Sequence, residues 1–181
     1  PYIADKDGKP MHSWRVLILP FMDTYERDLY KQYRFDEPWN GPNNRKLAGK
    51  MPPVYRCPVR KRKRGEFLTD YVAVTGPNTV WPVDQRVGLR DVPDGTSNTL
   101  MVVESANCGI SWLEPLDLDV DTIPMKINPK TERGISSVHP GGVLGVLVDG
   151  SVQFLPNSMP SNTVKALLIR NDGQEVDWRA F

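Results

Sequence analysis

The stretch that decides the fold is residues 139–155, which read HPGGVLGVLVDGSVQFL. The Asp-Gly pair at 149–150 lies between two runs of apolar and β-branched residues, which is typical of a β-hairpin with a two-residue turn. Counting outward from that turn pairs Leu147 with Val152 and places the Phe154 ring over Gly145. The pattern predicts a hairpin whose core face carries Leu147, Val152 and Phe154.

The same stretch separates its two most polar residues, His139 and Asp149. An extended strand from Val143 to Asp149 covers about 20 Å at about 3.3 Å per residue, so the two side chains lie at opposite ends of the hairpin. A catalytic dyad is therefore not expected. Asp149 and Gly150 are expected to make the turn, and His139 to cap or pack the start of the strand. The alternative places His139 in a ligand or partner site near Pro156.

The composition favours one α+β domain that is rich in loops. The chain has 181 residues, a net charge of +1 and 25% charged residues. It can bury a sizeable core, and nothing in its overall charge demands a polyanionic partner. Its 17 prolines are well above the average share, which indicates short elements joined by ordered loops.

Local patterns give the order of the elements. Ser13 is suited to cap the first helix, which stops at Pro20. Helices are predicted at 14–19, 24–33 and 43–49, and from Ser161 onward. Strands are predicted at 54–57, 71–75 and 99–104, before the hairpin. Residues 108–137 show no periodicity, which predicts a long surface loop.

These patterns predict a single globular head domain over residues 1–181, with an antiparallel sheet and helices packed on one face. Its regions follow the chain as a helical part, a sheet part, a variable loop, and a C-terminal hairpin and helix. They span 1–50, 51–107, 108–137 and 138–181. No stretch reaches the roughly 18 to 20 apolar residues that a membrane-spanning helix needs.

Cys57 and Cys108 are the two cysteines, and neither belongs to a C-x-x-C pair. A zinc site is not expected from two cysteines and two histidines without ligand spacing. A disulfide between them stays open if the domain lies outside the cytoplasm, and it would stabilise the fold by about 4 kcal/mol in the chain-entropy model.

Two sets of charged residues could bind ligands. Six of the nine residues from 56 to 64 are cationic, namely Arg56, Arg60, Lys61, Arg62, Lys63 and Arg64. They could bind nucleic acid, anionic lipid or an acidic polymer. Nucleic acid is not expected, because no aromatic residues interleave with them, and a solvated loop is favoured. The acidic turns with Asp94, Asp117, Asp119 and Asp121 could hold calcium, although they lack the spacing of a calcium loop.

No enzyme is predicted. The sequence has no Gly-x-Ser-x-Gly elbow, no Gly-rich phosphate loop and no His-Glu-x-x-His helix, and His12 lies beside the Ser13 cap. No cofactor is expected apart from the open question of calcium. A second reading is a solute- or carbohydrate-binding module, in which exposed Trp39, Trp81 or Trp112 would stack on a sugar. The competing reading has these tryptophans fold inward.

Several blocks resemble a large bacterial family of prepilin-like proteins. The C-terminal signature of that family is a histidine, nine residues and Asp-Gly, which fits His139, Asp149 and Gly150 with Gly141 and Gly142 between them. Its other recurring blocks resemble SWRVLILPF at 13–21, DEPW at 36–39, YRCP at 55–58, and DGTSNT at 94–99 with Glu104. The resemblance covers nearly the whole chain in order.

The resemblance implies a pilin-like fold and a location outside the cytoplasmic membrane. A full-length member carries a prepilin cleavage segment and an N-terminal hydrophobic helix, which this chain lacks. That helix would provide the contacts with the membrane and with like subunits or other proteins. The head would be a non-catalytic component of a surface assembly, similar in plan to type II secretion pseudopilins. The family is also grouped by name with extracellular solute-binding proteins.

Overall fold

The computed structural model describes residues 2–83, 85–130 and 133–180. The chain divides into two compact units, the first formed by residues 1–69 with 109–116 and the second by residues 70–108 with 117–181. Helices and a mainly antiparallel sheet together confirm the predicted α+β class. The prediction of a single domain over 1–181 stays a prediction.

The first unit begins with a two-stranded antiparallel ribbon and continues as helices. Strands β1 (Tyr2–Ala4) and β2 (Pro10–Ser13) are followed by helices α1 (Trp14–Leu17) and α2 (Thr24–Gln32). The Ser13 hydroxyl accepts a hydrogen bond from the Arg15 backbone N–H at 3.3 Å, which confirms the predicted cap. Short 3-10 helices lie at Leu19–Phe21, Asn44–Lys50 and Pro53–Tyr55.

The core of the first unit gathers side chains from separate segments. Its buried members are Val16, Leu19, Leu29, Tyr33, Leu47, Met51, Tyr55, Trp112 and Leu113. Trp112 is fully buried, its ring stacks on Tyr55 at a centroid distance of 6.1 Å, and its indole N–H donates to the Ala48 carbonyl at 3.0 Å. Residues predicted as surface loop therefore form part of this core.

The second unit contains the main sheet. Its strands are β3 (Tyr71–Val72), β4 (Val74–Thr75), β5 (Leu100–Glu104), β6 (Leu118–Asp119), β7 (Gly142–Leu147) and β8 (Val152–Pro156). The main sheet has the order β3-β5-β7-β8, with every neighbouring pair antiparallel, while β4 and β6 form a separate parallel pair. β8 is therefore an edge strand.

One face of the main sheet is buried and supports helix α3 (Ser161–Leu168). The sheet buries Val72, Val103, Val143, Leu147 and Leu155. α3 packs against β5 and buries Val164 and Leu167. Alternation along β7 and β8 places these core residues at every second position, as expected for a sheet that is covered on one side.

Two sequence-based predictions are wrong. The predicted strand at 54–57 is a 3-10 helix at Pro53–Tyr55, because proline has no N–H to donate to a strand ladder. The predicted surface loop at 108–137 also supplies buried residues to the second unit, including Leu118, Ile127 and Ile135. These side chains are buried without helical or strand periodicity, so the pattern gave no signal of them.

Candidate functional site

The hairpin of β7 and β8 closes through a three-residue turn, not the predicted two-residue turn. The Leu147 N–H donates to the Ser151 carbonyl at 2.9 Å, and the Gly150 N–H donates to the Leu147 carbonyl at 3.0 Å. Gly150 has φ +86°, while Asp149 has no positive φ. This is a type I turn followed by a left-handed glycine, the usual three-residue hairpin loop.

The longer turn shifts the register by one residue. The β8 residues that were predicted to face the core therefore lie on the exposed face. Val146 pairs with Val152 and Leu144 pairs with Phe154, whereas the sequence pattern paired Leu147 with Val152. The prediction that Val152 and Phe154 face the core is therefore wrong. They are 56% and 51% exposed, and Leu144 beside them is 42% exposed. The hairpin presents an apolar surface, Leu144, Val152 and Phe154, which we call the hairpin face.

The backbone of β8 is open along its outer side. Two backbone bonds show which residue pairs of β7 and β8 exchange hydrogen bonds. One runs from the Leu147 N–H to the Ser151 carbonyl, and the other from the Asn157 N–H to the Gly141 carbonyl at 2.8 Å. Since these alternate in an antiparallel ladder, the N–H and C=O groups of Val152 and Phe154 point away from β7. Among the described residues, no hydrogen bond reaches these outward groups.

The Phe154 ring lies over a glycine, but over Gly142 and not at the predicted position. A Cβ atom on Gly142 would lie 2.6 Å from the Phe154 Cζ atom and would also clash with the carbonyl of Leu155. Gly141 adopts φ +88° beside the same ring. Gly141 and Gly142 therefore make room for Phe154 at the start of β7.

His139 and Asp149 lie at opposite ends of the hairpin, as predicted. The His139 backbone N–H donates to the Ser137 hydroxyl at 3.2 Å. Asp149 Oδ1 accepts hydrogen bonds from the Ser151 hydroxyl at 2.7 Å and from its N–H at 2.9 Å, and these bonds lower the pKa of the Asp149 carboxyl. Asp149 thus stabilises the turn.

A buried carboxylate links the two central strands. Glu104, at the end of β5, is 2% exposed, and its Oε2 atom accepts a hydrogen bond from the Leu144 N–H of β7 at 2.7 Å. The ladder between β5 and β7 is irregular between Leu100 and Val102. The sequence indicated Glu104 only through the family block, and its backbone partner was not predicted.

A second polar cluster follows β5. Asn107 Oδ1 accepts a hydrogen bond from the Ser136 hydroxyl at 2.7 Å and from the Gly134 N–H at 3.4 Å. The Ser105 hydroxyl donates to the Gly134 carbonyl at 2.6 Å. These bonds attach residues 134–136 to the end of β5, so the cluster has a structural role.

The basic segment of the first unit surrounds a surface cavity of about 380 Å³, lined by Pro53, Arg56, Cys57, Pro58, Arg60 and Arg62. Arg60 forms an ion pair with Glu66 at 2.9 Å. An Arg62 guanidinium nitrogen donates to the Leu68 carbonyl at 2.6 Å. A guanidinium nitrogen of Arg56 donates to the Met51 carbonyl at 3.1 Å. We call this feature the arginine cavity. The remaining cations of the segment, Lys61, Lys63 and Arg64, are exposed, in keeping with the solvated loop favoured by the sequence.

A comparison with protein families shows which family the chain belongs to. The family described as "Protein of unknown function (DUF1559)" matches residues 1–112 and 105–162, which is most of the chain. The chain belongs to this family. No curated protein and no solved structure matches it. Among the described residues of this DUF1559 chain, no helix is long and apolar enough to cross a membrane.

None of the three tryptophans predicted to stack on a sugar is exposed in the structure. Trp112 is fully buried, and Trp39 and Trp81 are partly buried. The Trp81 indole N–H donates to the Met101 carbonyl at 2.6 Å, and the Trp39 backbone N–H donates to the Met11 carbonyl at 3.0 Å. The Trp112 and Trp81 indoles anchor loops, and the Trp39 side chain packs against the core of the first unit, which agrees with the alternative in which loop tryptophans fold inward.

The acidic candidates for calcium are not brought together. Asp94 accepts the backbone N–H groups of residues 172 and 173, at 2.7 and 3.1 Å. Asp117 Oδ1 accepts the Ala73 N–H at 2.8 Å, and Asp119 Oδ1 accepts the Asp121 N–H at 2.9 Å. In the part of the chain that the structure describes, none of the four belongs to a group of three metal-ligating side chains. The carboxylates of Asp94, Asp117 and Asp119 thus accept backbone N–H groups, and for Asp94 and Asp117 these belong to distant parts of the sequence.

Cys57 and Cys108 are both buried. The disulfide between them stays a prediction.

His12 is also buried, at 3% exposure. Its Nδ1 atom lies 3.0 Å from the Tyr33 hydroxyl, and its ring meets Tyr33 and Phe35 edge-on. Burial lowers the pKa of His12. This environment is that of a core histidine.

Proposed function

We propose that this DUF1559 chain is the non-catalytic head of a prepilin-like protein, a structural or recognition component of a surface or secretion assembly outside the cytoplasmic membrane. The proposal rests on the family resemblance and on one observation, the open edge of β8 beside the hairpin face. Such an edge accepts another strand through main-chain hydrogen bonds. We propose that the strand it accepts is β8 of a second copy.

The outward groups of β8 allow a two-fold symmetric pair. With the symmetry axis at Gln153, Val152 of each copy lies opposite Phe154 of the other, and the two pairs exchange four backbone hydrogen bonds. Each contact joins an aromatic to a β-branched side chain, a favourable cross-strand combination. Residues 151–159 carry no charged side chain, so no like charges meet.

The magnitude of the contact indicates weak association. The hairpin face has three apolar side chains, each about half exposed, and offers on the order of 250 Å² per copy, against roughly 800 Å² per partner in a standard interface. Association is therefore expected only at high protein concentration, or where an N-terminal helix gathers the heads together.

A matched pair of valine variants tests the contact. Val152→Lys places a charge on the edge, whereas Val138→Lys places one on another valine of the same unit that is 49% exposed. Sedimentation velocity over rising concentration should show dimer for the unchanged chain and for Val138→Lys, and monomer for Val152→Lys. If the two variants had the same proportion of monomer and dimer, β8 would not be the interface.

A cysteine variant tests the symmetry. Gln153→Cys places two thiols across the axis, so mild oxidation should produce a covalent dimer, while Val138→Cys should not. In cells, surface labelling and fractionation of the full-length protein test the location. A free cytoplasmic protein would defeat the proposed assembly role.

A further inference from the structure

The arginine cavity carries an inference that goes beyond the head role and does not depend on association through β8. We propose that it binds an oxyanion of an acidic saccharide, a carboxylate or a sulfate. Its lining contains three arginines, Arg56, Arg60 and Arg62. The paired N–H donors of a guanidinium group can bind two oxygens of a carboxylate or of a sulfate at once.

The local charge favours an anion. Residues 56–66 contain six cations and one acidic residue, Glu66. The carboxylate of Glu66 is engaged with Arg60, and it also accepts the Lys63 N–H at 3.0 Å. The segment keeps a large positive excess, and Lys61, Lys63 and Arg64 are exposed around the cavity-lining arginines. A concentrated positive field of this kind raises the local concentration of anionic ligands.

The arginines are held in place before any ligand arrives. Arg56 is fixed by the Met51 carbonyl, Arg62 by the Leu68 carbonyl and Arg60 by Glu66. Immobilised side chains lose less entropy on binding, which favours affinity.

Shape and composition select the ligand class. A volume of about 380 Å³ lies at the small end of the range for small-molecule sites, and it suits a sugar carrying an acid group. Residues 56–66 contain no aromatic side chain, so the site lacks the stacking platform of single-stranded nucleic-acid binders. A membrane surface would be contacted by a flat patch, not by a concavity.

Calorimetric titration of the whole chain with a heparin disaccharide and with digalacturonate tests the proposal, with inorganic sulfate as the free ion. Arg56→Gln should weaken saccharide binding about tenfold, the usual order for one charge-assisted contact. Arg45→Gln, which removes an exposed arginine of the same unit outside the cavity, should change it less than about twofold. The loss of saccharide affinity for Arg56→Lys should lie between those for Arg56→Gln and Arg45→Gln, because lysine keeps the charge but lacks the paired donors of the guanidinium group.

Three results would overturn the proposal. Equal losses for Arg56→Gln and Arg45→Gln would show diffuse charge attraction. Saturable binding of neither saccharide would remove the site. Tighter binding to phosphatidylglycerol vesicles or to single-stranded DNA than to the saccharides would assign the basic segment to another ligand. Thermal unfolding checks that each variant is folded. Lys61→Gln with Lys63→Gln changes two exposed lysines that do not line the cavity, and it serves as a second control.

Discussion

Glu104 accepts a hydrogen bond from the backbone N–H of Leu144, 40 residues away in the sequence, at 2.7 Å. The carboxylate is almost completely buried, and it satisfies a donor of the strand that presents the hairpin face. A donor inside a sheet that loses its acceptor carries a desolvation cost. Glu104 therefore helps to hold the hairpin against β5, in addition to the backbone pairing of β5 with β7.

Glu104→Ala should lower the free energy of unfolding by about 2 to 3 kcal/mol, because it removes a charge-assisted bond and leaves the Leu144 N–H without it. Glu104→Gln keeps an oxygen acceptor and should cost less. Urea denaturation measures both. Glu175→Ala, at an exposed residue, is the control and should be nearly neutral. A loss for Glu104→Ala no larger than that of the control would mean that this bond does not hold the strand.

Gly142→Ala should destabilise the second unit by about 1 to 3 kcal/mol, the usual cost of overpacking. Its new methyl group would meet both the Phe154 ring and the Leu155 carbonyl. Gly88→Ala is the matched change, because Gly88 has a negative φ and a Cβ atom there makes only ordinary contact, at 3.5 Å. Chemical denaturation compares the two variants. Similar stabilities would show that Phe154 moves away from Gly142 without cost.

Ser151→Ala should raise the pKa of Asp149 toward its ordinary value, because the Ser151 hydroxyl is the largest cause of its lowering. An acid with a lowered pKa in the folded state stabilises the fold above its ordinary pKa and loses that contribution as pH falls through the lowered value. The stability difference between the unchanged chain and Ser151→Ala should thus be present at neutral pH and shrink in acid.

Carbon-13 NMR titration of the Asp149 carboxyl measures this pKa directly. Ser158→Ala, at an exposed serine beyond β8, serves as the control. An unchanged Asp149 pKa in Ser151→Ala would contradict the hydrogen bond in solution.

His12 should make the chain less stable in mild acid. Its pKa is lowered from 6.5 by burial, so the unfolded chain binds a proton that the folded chain refuses. Stability contributed by the neutral ring is complete above pH 6.5 and decreases as pH falls from there toward the lowered pKa. Denaturation at pH 5 and pH 7.5 should show the loss, and His12→Asn should reduce it. Proton NMR of His12 that titrates at or above 6.5 would refute the prediction.

The sequence predicted the hairpin and missed its register, for a physical reason. Asp-Gly serves both as a two-residue turn and as the last two positions of a three-residue turn, and only the second leaves Asp149 with ordinary backbone angles. The apolar pattern could not decide, because Leu144 and Val146 are apolar on the face opposite Val143 and Leu147. When both faces of a strand are apolar, register is weakly specified by pattern.

Other features had no local signal. The residues of 108–137 that are buried, such as Trp112 and Ile135, do not repeat with a regular period. The bond from Leu144 to Glu104 joins residues 40 positions apart and depends on tertiary folding. By contrast, the Ser13 cap is decided by neighbouring residues, and it was predicted correctly.

The outward side of β8 ends at Pro156, which has no N–H group and whose carbonyl is taken by Met159 at 3.0 Å. The available ladder is therefore limited to Val152 through Phe154. A symmetric pair consumes that ladder in both copies at once, so growth stops at two and no fibril can be templated from this side. Any longer array must be propagated by a different surface, and loss of the β8 contact would shorten or loosen such an array without preventing its formation.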